Sequence, residues 1–523
     1  MGDSRSLKLR YALPLAAIGG LALDVATPWL EWWFAGGVGA VFVIAALWQQ
    51  TALRGLILGA VAGSFFWLPH IYWLTLYLGP IPWLALSTVM ILWFAVFGIA
   101  AALATRGLRL LPLSPLPLAL LQAVGVGGLW VLREQLQSTW PYGGFAWGRL
   151  AHTVADSPLS ATVSWVGFAG VSGLLAVGAG LIVAAAFSAR AHLRDASILA
   201  GVAVLLLFTM AFLPPALLDS PRTLKVAAVQ GNSKSGIFDD RENGDVIRDH
   251  IEVTERLLDE LEQTGEHVDV IVWPENSGEF QLPEQYDRAH TVQQLAARAN
   301  APIIVGTILQ NEDGSYTNSS LVFDAQGDTG QRYDKRRPVP FAEYMPNRQF
   351  FRALVPDLVD LVQLDYSFGQ RSAVLPIATA NGEVSAGIAI CFDIIFDDHA
   401  VVMNSDGAQI IFAQTNNADF GRTDESAQQL QIARLRAIEM GRTLVNISTV
   451  GTSAVVLPSG KDAASLTPFT ADAMVVEVPL YEGHTPAVRF GGWISAAWVT
   501  VGLGAVILGS SVTYRRKVNE REE

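Results

Sequence analysis

Long apolar segments fill most of the first 218 residues, and they limit the possible folds more than any other feature of this chain. Seven are long enough to cross a bilayer as helices, because about 20 apolar residues span the hydrocarbon core. They lie near residues 11–27, 31–49, 55–78, 81–104, 116–133, 159–188 and 195–214. An eighth lies near residues 490–513. The sequence therefore predicts a polytopic membrane protein with eight transmembrane helices.

Charged residues divide the chain into regions. Residues 1–218 contain only six acidic and ten basic residues, so the net charge of −13 arises from the later part of the chain. We predict a membrane domain at 1–218, a globular domain at 222–483, the eighth helix at 488–514 and a tail at 515–523. The acidic globular domain argues against a nucleic-acid partner, which requires a basic surface.

The basic residues between the apolar segments predict the orientation of the chain, because cytoplasmic loops of membrane proteins are enriched in lysine and arginine. With eight spans, one side of the membrane carries 12 basic residues, and the short loops on the other carry only Arg133 and Arg149. The 12 residues are Arg5, Lys8, Arg10, Arg54, Arg106, Arg109, Arg190, Arg194, Arg515, Arg516, Lys517 and Arg521. We therefore expect both termini in the cytoplasm and the globular domain on the outer face of the cytoplasmic membrane.

Strands and helices alternate within the globular domain. The pattern of branched apolar residues predicts strands at 224–229, 268–273, 303–307, 319–323, 384–390, 409–413 and 443–447. Apolar residues at helical spacing predict helices at 245–262 and from Thr423 to Gly441. This alternation is typical of sheets covered by helices.

Reactive groups stand at three places in the globular domain, two of them at the ends of predicted strands. Glu275 follows the strand at 268–273, Cys391 follows the strand at 384–390, and Lys335 and Glu343 lie in a proline-rich loop. Taken singly, the charged residues could be solvated, and a lone thiol could be a buried structural residue. Together they form an acyl-transfer set. The carboxylate can deprotonate the thiol, and the ammonium can stabilise the oxyanion that forms when the thiol attacks a carbonyl.

Three motifs resemble the nitrilase, or carbon–nitrogen hydrolase, superfamily: Trp273-Pro274-Glu275-Asn276, the loop from Tyr333 to Pro346, and the strand that ends at Cys391. With seven apolar segments before them and one after, the chain is similar to the apolipoprotein N-acyltransferase family. The resemblance implies an αββα sandwich with a Glu275–Lys335–Cys391 triad. It also implies that Glu343 orients Lys335 or the reacting groups, and that residues 316–319 have a structural role.

The chain departs from the family pattern at several positions. Phe392 and Asp393 replace the tyrosine and glutamate that commonly follow the cysteine, and Asp419 stands where tryptophan is common. Another tryptophan is missing near Ile237 and Phe238. We expect Asp393 and Phe392 to support the triad. Candidate substrate contacts are Tyr344, Asn417, Asp419, Phe420, Trp140 and Trp147.

The aromatic segment at 140–147 leaves two interpretations open. It is either an aromatic belt at the membrane surface or a loop that admits an acyl chain.

The resemblance implies a two-step acyl transfer. A phospholipid would donate an acyl chain to Cys391 as a thioester, and the α-amine of a diacylglyceryl-cysteine at a lipoprotein N-terminus would accept it. We expect a monomer in the bacterial cell membrane, with no cofactor and no metal. Two alternatives stay open: a membrane-tethered amidase or nitrilase that uses water as the acceptor, and a non-enzymatic scaffold or transporter.

Overall fold

A computed structural model describes residues 6–28, 30–189, 192–237 and 239–522. Of the residues discussed above, Arg5, Arg190 and Phe238 lie outside these ranges. The chain forms two compact units. One comprises Met1–Pro215 with Pro486–Glu523, and the other comprises Ala216–Thr485.

The first unit is helical. Its helices are α1 (Leu9–Val25), α2 (Trp33–Leu47), α3 (Ala52–His70), α4 (Thr75–Leu78), α5 (Pro80–Leu108), α6 (Pro115–Gln137), α7 (Val163–Ser188), α8 (Leu193–Phe212) and a C-terminal helix (Pro486–Glu522). Each of the eight apolar segments contains a helix. Within the described residues, six helices are long and apolar enough to cross a membrane: α3, α5, α6, α7, α8 and the C-terminal helix. The helices α1 and α2 have 17 and 15 residues, so the count of eight spans stays a prediction.

The predicted extent of the third segment, 55–78, is wrong. The helix α3 ends at His70, directly after Pro69, and a short turn at Tyr72–Leu74 leads into α4. Proline removes a backbone donor and disfavours helix in the residue before it. Apolar residues continue past the break, so hydropathy alone did not reveal it.

Close helix packing in this unit depends on small residues. A Cβ atom on Gly55 of α3 would clash with the carbonyl oxygen of Gly98 of α5, and a Cβ atom on Gly98 would clash with the carbonyl oxygen of Gly55. Gly128 of α6 likewise faces Gly502 of the C-terminal helix. Helices in lipid associate through such close backbone contact, because lipid offers little hydrophobic driving force between them.

The second unit contains two six-stranded sheets. The first sheet has the order β12-β1-β2-β3-β4-β5, and the second has the order β11-β10-β9-β8-β7-β6. The strands are β1 (Arg222–Gln230), β2 (Val270–Val272), β3 (Ile303–Gln310), β4 (Tyr316–Asp324), β5 (Gly327–Asp334), β6 (Val374–Thr379), β7 (Gly382–Ile390), β8 (Ile410–Thr415), β9 (Thr443–Ser448), β10 (Ser453–Val456), β11 (Asp462–Leu466) and β12 (Asp472–Leu480). All seven predicted strands are confirmed.

Helices α9 (Asp245–Thr264) and α10 (Tyr286–Ala299) pack against the first sheet, and α13 (Asp397–Ser405) and α14 (Glu425–Met440) pack against the second. Two short helices, α11 (Arg348–Leu354) and α12 (Pro356–Val359), lie in the segment between β5 and β6. The predicted helices at 245–262 and 423–441 correspond to α9 and α14. Leu257 of α9 and Leu295 of α10 pack with Ala227 and Ile271 of the first sheet in one buried cluster. Burying one such leucine contributes about 1.5–3 kcal/mol.

The inner faces of the two sheets pack against each other. Gln414 of β8 donates a hydrogen bond to the carbonyl oxygen of Trp273, which follows β2, at 2.6 Å. Strands β1, β2 and β3 run parallel, as do β7, β8 and β9. The predicted αββα sandwich is confirmed. The carboxyl ends of β2 and β7 carry Glu275 and Cys391.

Candidate active site

Cys391 occupies a sharp turn at the end of β7. Its φ angle is +48°, a left-handed conformation that costs a non-glycine residue about 1–2 kcal/mol, and a helical turn begins there. The backbone N–H of Ile390 donates to Oδ2 of Asp393 at 3.2 Å, which braces the turn. The Cys391 residue is half-buried. The strand therefore ends with the thiol turned out of the ladder.

Glu275 is buried, and three donors hold its carboxylate. Its Oε1 accepts from Nζ of Lys335 at 3.1 Å and from Nδ2 of Asn318 at 2.7 Å. Its Oε2 accepts from the backbone N–H of Asn416 at 2.8 Å. Burial raises the pKa of Glu275, and the charge of Lys335 opposes the rise. A carboxylate with a raised pKa is a better base for a thiol than an exposed one.

Lys335 is buried between two carboxylates. Its Nζ lies 3.1 Å from Oε1 of Glu275 and 3.0 Å from the carboxylate of Glu343. Burial alone would lower the pKa of Lys335, but the two carboxylates reverse the effect and raise it well above its usual value. Lys335 therefore keeps its positive charge throughout the physiological pH range.

Glu343 is held by its own loop. Its Oε2 accepts from the backbone N–H of Val339 at 2.7 Å, and its Oε1 accepts from Nδ2 of Asn318 at 3.1 Å. Asn318 thus donates to both glutamates. The arrangement fixes the two carboxylates around the Lys335 ammonium.

Asp393 joins the cysteine turn to the lysine loop. Its carboxylate accepts from the Tyr333 hydroxyl at 2.7 Å and from the backbone N–H of Arg337 at 2.9 Å, in addition to Ile390. All these contacts are structural, and the carboxylate is fully buried. Phe392 packs edge-on against Phe396, with ring centroids 5.0 Å apart.

The surroundings of the Cys391 thiol favour its protonated form. Burial raises its pKa well above the usual value, and the charge of Glu275 adds to the rise. The charge of Lys335 and a hydrogen bond from Gln429 act in the opposite direction. Because the thiol does not ionise by itself at neutral pH, attack on a carbonyl requires a base that takes its proton.

The predicted substrate contacts have different surroundings. Asn417 is buried and bonded to four side chains of the same unit. Asp419 accepts from the backbone N–H of Ile237 at 2.6 Å, and Phe420 lies in the same short turn. Tyr344 packs edge-on against Phe368 at 5.1 Å. These residues belong to the unit that contains the triad.

The aromatic segment of the helical unit combines an exposed and a buried tryptophan. Trp140 is 64% exposed, whereas Trp147 is buried and stacks on Phe145, with centroids 5.7 Å apart. The carbonyl oxygen of Trp147 also accepts from Gln137 at 2.9 Å. Of the two tryptophans, Trp140 is the one with the exposure that a surface contact with lipid requires.

The sequence patterns did not identify four residues of the site. They indicate only a structural role for Asn318, and they indicate no role in the site for Asn416, Glu425 and Gln429. Asn416 holds Glu275 through its backbone N–H, which carries no side-chain signal. Glu425 and Gln429 are buried polar residues near the start of α14. Burial of a polar residue within a helix would have indicated a role for them, but the sequence alone does not show which polar residues are buried.

Glu425 provides a test of the electrostatics around the thiol. Burial raises its pKa to about 8, and its Oε2 accepts from Asn417 at 2.8 Å. Between the ordinary glutamate pKa and about 8, the folded state holds a proton that the unfolded state has lost. Stability therefore falls as the pH rises through this window, since folding must take up that proton.

Replacing Glu425 with glutamine is expected to remove this pH-dependent loss of stability. The gain in unfolding free energy should be small at pH 4.5 and reach on the order of 4 kcal/mol at pH 8. Thermal unfolding of the full chain in detergent at several pH values measures it. Glu260→Gln, which changes an exposed carboxylate on α9, is the control and should leave the profile unchanged. A Glu425→Gln gain that did not vary with pH would contradict the raised pKa.

Comparisons with known proteins cover both units. The carbon-nitrogen hydrolase family matches residues 225–483. The apolipoprotein N-acyltransferase N-terminal domain matches residues 19–181. An apolipoprotein N-acyltransferase of Mycolicibacterium smegmatis is 30% identical over 526 residues, covering 95% of this chain and 85% of the relative.

Two further matches cover different shares of the chain. An apolipoprotein N-acyltransferase of Ralstonia nicotianae is 28% identical over 525 residues, covering 98% of this chain and 95% of the relative. A crystal structure of a carbon-nitrogen hydrolase from Helicobacter pylori is 17% identical with a TM-score of 0.36, covering 53% of this chain and 94% of that one.

Proposed function

Because this chain belongs to the apolipoprotein N-acyltransferase family, we propose that Cys391 carries an acyl group from a membrane phospholipid to a lipoprotein. The acceptor is the free α-amine of a diacylglyceryl-cysteine at the lipoprotein N-terminus. The two substrates react one after the other in a ping-pong sequence. The observation that carries this proposal is the Lys335 ammonium, which is held by the carboxylates of Glu275 and Glu343 at 3.1 and 3.0 Å.

In the first step Glu275 takes the thiol proton as the sulfur of Cys391 attacks the ester carbonyl of the phospholipid. The carbonyl oxygen becomes an oxyanion, which the charge of Lys335 stabilises. One well-placed donor of this kind contributes about 3–4 kcal/mol. The C–O bond then breaks, Glu275 returns the proton to the departing lysophospholipid oxygen, and a thioester remains on Cys391.

In the second step the neutral amine of the lipoprotein attacks the thioester carbonyl. Glu275, again ionised, takes a proton from the amine nitrogen as the C–N bond forms. The C–S bond breaks and the sulfur recovers a proton from Glu275, so the amide product leaves the enzyme in its starting state. The raised pKa of Glu275 supports both directions of proton transfer.

Three further residues support this assignment. Glu343 positions Lys335, and Asn318 positions both glutamates through one amide group. Asp393 braces the cysteine turn against the loop that follows Lys335. This aspartate is thus proposed to fulfil the supporting role for which glutamate is common. Phe392, which packs on Phe396 beside the cysteine turn, is likewise proposed to support the triad. Tyr344, Phe420 and Trp140 are proposed as contacts for the lipid substrates.

The membrane arrangement belongs to the same proposal. The chain crosses the bacterial cell membrane eight times as a monomer, with both termini in the cytoplasm and the catalytic unit on the outer face. The distribution of 12 basic residues against two supports this orientation. The six helices of spanning length among the described residues support the membrane location.

Intact mass spectrometry tests the covalent step. The full chain in detergent is incubated with a phospholipid of defined acyl chains, and a mass increase of one acyl group on Cys391 is expected. Hydroxylamine should remove it, and a diacylated lipopeptide with a free amine should discharge it as an N-acylated product.

Two results would argue against the proposal. Discharge to free fatty acid without N-acylated peptide would favour a membrane-tethered hydrolase. Turnover without any adduct on Cys391 would rule out the thioester.

A further inference from the structure

Gln429 of α14 contacts the sulfur of Cys391. Its Nε2 lies 3.5 Å from Sγ, and within the described part of the chain it is the one side chain that hydrogen-bonds this sulfur. Gln429 is buried, with 2% of its surface exposed. A buried amide can present either its NH₂ group or its oxygen to a neighbour, and only the NH₂ group stabilises a thiolate.

A chain of hydrogen bonds fixes which end of the amide faces the sulfur. The backbone N–H of Gly451 donates to Oγ of Ser448 at 2.9 Å, so the Ser448 hydroxyl has its own hydrogen left to donate. It donates that hydrogen to Oδ1 of Asn417 at 2.7 Å. The Thr415 hydroxyl also reaches Oδ1, at 3.1 Å. The oxygen of Asn417 is thereby turned toward these hydroxyls.

The orientation of Asn417 then sets that of Gln429. The Nδ2 of Asn417 faces Oε1 of Gln429 at 3.0 Å, and it also donates to Oε2 of Glu425 at 2.8 Å. Because Oε1 is occupied by this donor, Nε2 of Gln429 must face Cys391. If the Gln429 amide flipped, its NH₂ group would meet the NH₂ group of Asn417, and its oxygen would face the sulfur.

We propose that Gln429 is a catalytic residue that donates a hydrogen bond to the Cys391 sulfur as the thiol loses its proton, with Asn417 and Ser448 as positioning residues that keep the donor in place. This rests on the proposed role of Cys391 as the nucleophile. Asn417 is thereby given a role other than the predicted substrate contact.

The charges around the sulfur explain why a donor is useful there. The charge of Glu275 opposes formation of the thiolate, and Glu425 adds to this opposition only above its pKa of about 8. Lys335 favours the thiolate, but its charge is shared with Glu275 and Glu343. Gln429 stabilises the thiolate without adding a charge that would perturb Glu275. The same donor favours departure of the sulfur when the thioester is broken, since the leaving group is again a thiolate.

Alkylation by iodoacetamide tests this proposal in the full chain in detergent. Cys391 is the only cysteine of the chain, so all thiol labelling reports on it. Gln429→Met keeps the length of the side chain and removes the donor. We expect alkylation about tenfold slower at pH 8, and the midpoint of its pH dependence should rise by about one pH unit, as for loss of a hydrogen bond to a charged group.

The control is Gln428→Met, which replaces the neighbouring buried glutamine, whose Nε2 instead donates to Asp424 at 2.7 Å. It should leave the alkylation profile unchanged. Ser448→Ala removes the hydroxyl that orients Asn417, and it should slow alkylation in the same direction but by a smaller factor. If Gln429→Met does not fold, Ser448→Ala alone decides the test.

The wild-type rate and midpoint in a folded Gln429→Met variant would overturn the proposal, as would equal slowing in Gln428→Met. Alkylation requires neither substrate nor turnover. Its result is therefore independent of the acyl-adduct experiment. Alkylation still measures the contact between Gln429 and Cys391 if the acyl-adduct experiment shows that Cys391 is not the nucleophile.

Discussion

Replacing Cys391 with alanine is expected to abolish acyl transfer, with a fall in kcat/KM of about 10⁶-fold or to the limit of detection. The side chain supplies the atom to which the acyl group is bonded, and no neighbouring group can replace it. Cys391 is the only thiol of the chain. The measurement is formation of N-acylated lipopeptide by the full chain in detergent with phospholipid as the donor.

Cys391→Ser serves as a companion to the alanine variant. Serine places a hydroxyl at the same turn, but the pKa of a hydroxyl is much higher than that of a thiol. Glu275 is therefore too weak a base to activate the hydroxyl efficiently. Both variants should bind phospholipid and unfold at the wild-type temperature. Lipopeptide acylation that continued in the alanine variant would refute the covalent mechanism and the enzymatic assignment of this site.

Replacing Glu275 with glutamine is expected to lower kcat/KM by about 10³- to 10⁴-fold. Glutamine preserves the size of the side chain and can accept from Asn318, but it cannot take a proton from the thiol or the amine. The resting thiol has a pKa well above its usual value, so it is not ionised without this base. Activity of the variant should rise with pH, because hydroxide then replaces part of the missing base.

Glu284→Gln is the control for a change of one negative charge, since Glu284 is exposed and lies a few residues beyond Glu275. It should keep full activity. Glu343→Gln separates positioning from proton transfer. It leaves the base in place and removes one of the two carboxylates around Lys335, so a smaller loss is expected. Because the charge of Glu343 raises the pKa of Glu275, the profile should shift to lower pH and should lack the gain of activity at high pH that is expected without the base. Equal losses in the two variants would show that Glu275 acts only as a partner of Lys335.

Local residue patterns were sufficient to predict the strands that precede Glu275 and Cys391. Branched apolar residues form the buried strands β2 and β7, and Pro274 marks the point where the chain leaves the first sheet. The polar strand β5 was missed, because its sequence, Gly327–Asp334, has the composition of a loop and most of it is solvent-accessible. Yet β5 leads directly to Lys335 and supplies Tyr333, which anchors Asp393.

Contacts between distant elements could not be predicted in the same way. Asn416 follows β8 and Gln429 lies on α14, and both reach the site only when the sheets pack and the helix covers them. Their amide groups look like ordinary polar residues in the sequence. Trp140 and Trp147 illustrate the same limit, since two tryptophans in one short segment differ completely in exposure.

The pairing of β1 with β12 has a consequence for biosynthesis. The register joins Arg222 to Leu480 and Gln230 to Asp472, so the first strand of the catalytic unit pairs on one side with the last. During translation the backbone N–H and C=O groups on one edge of β1 stay unpaired until almost the whole unit has been synthesised. An unpaired strand edge invites pairing with other chains. Nascent chains that stop before Asp472 should therefore aggregate more readily than the full chain.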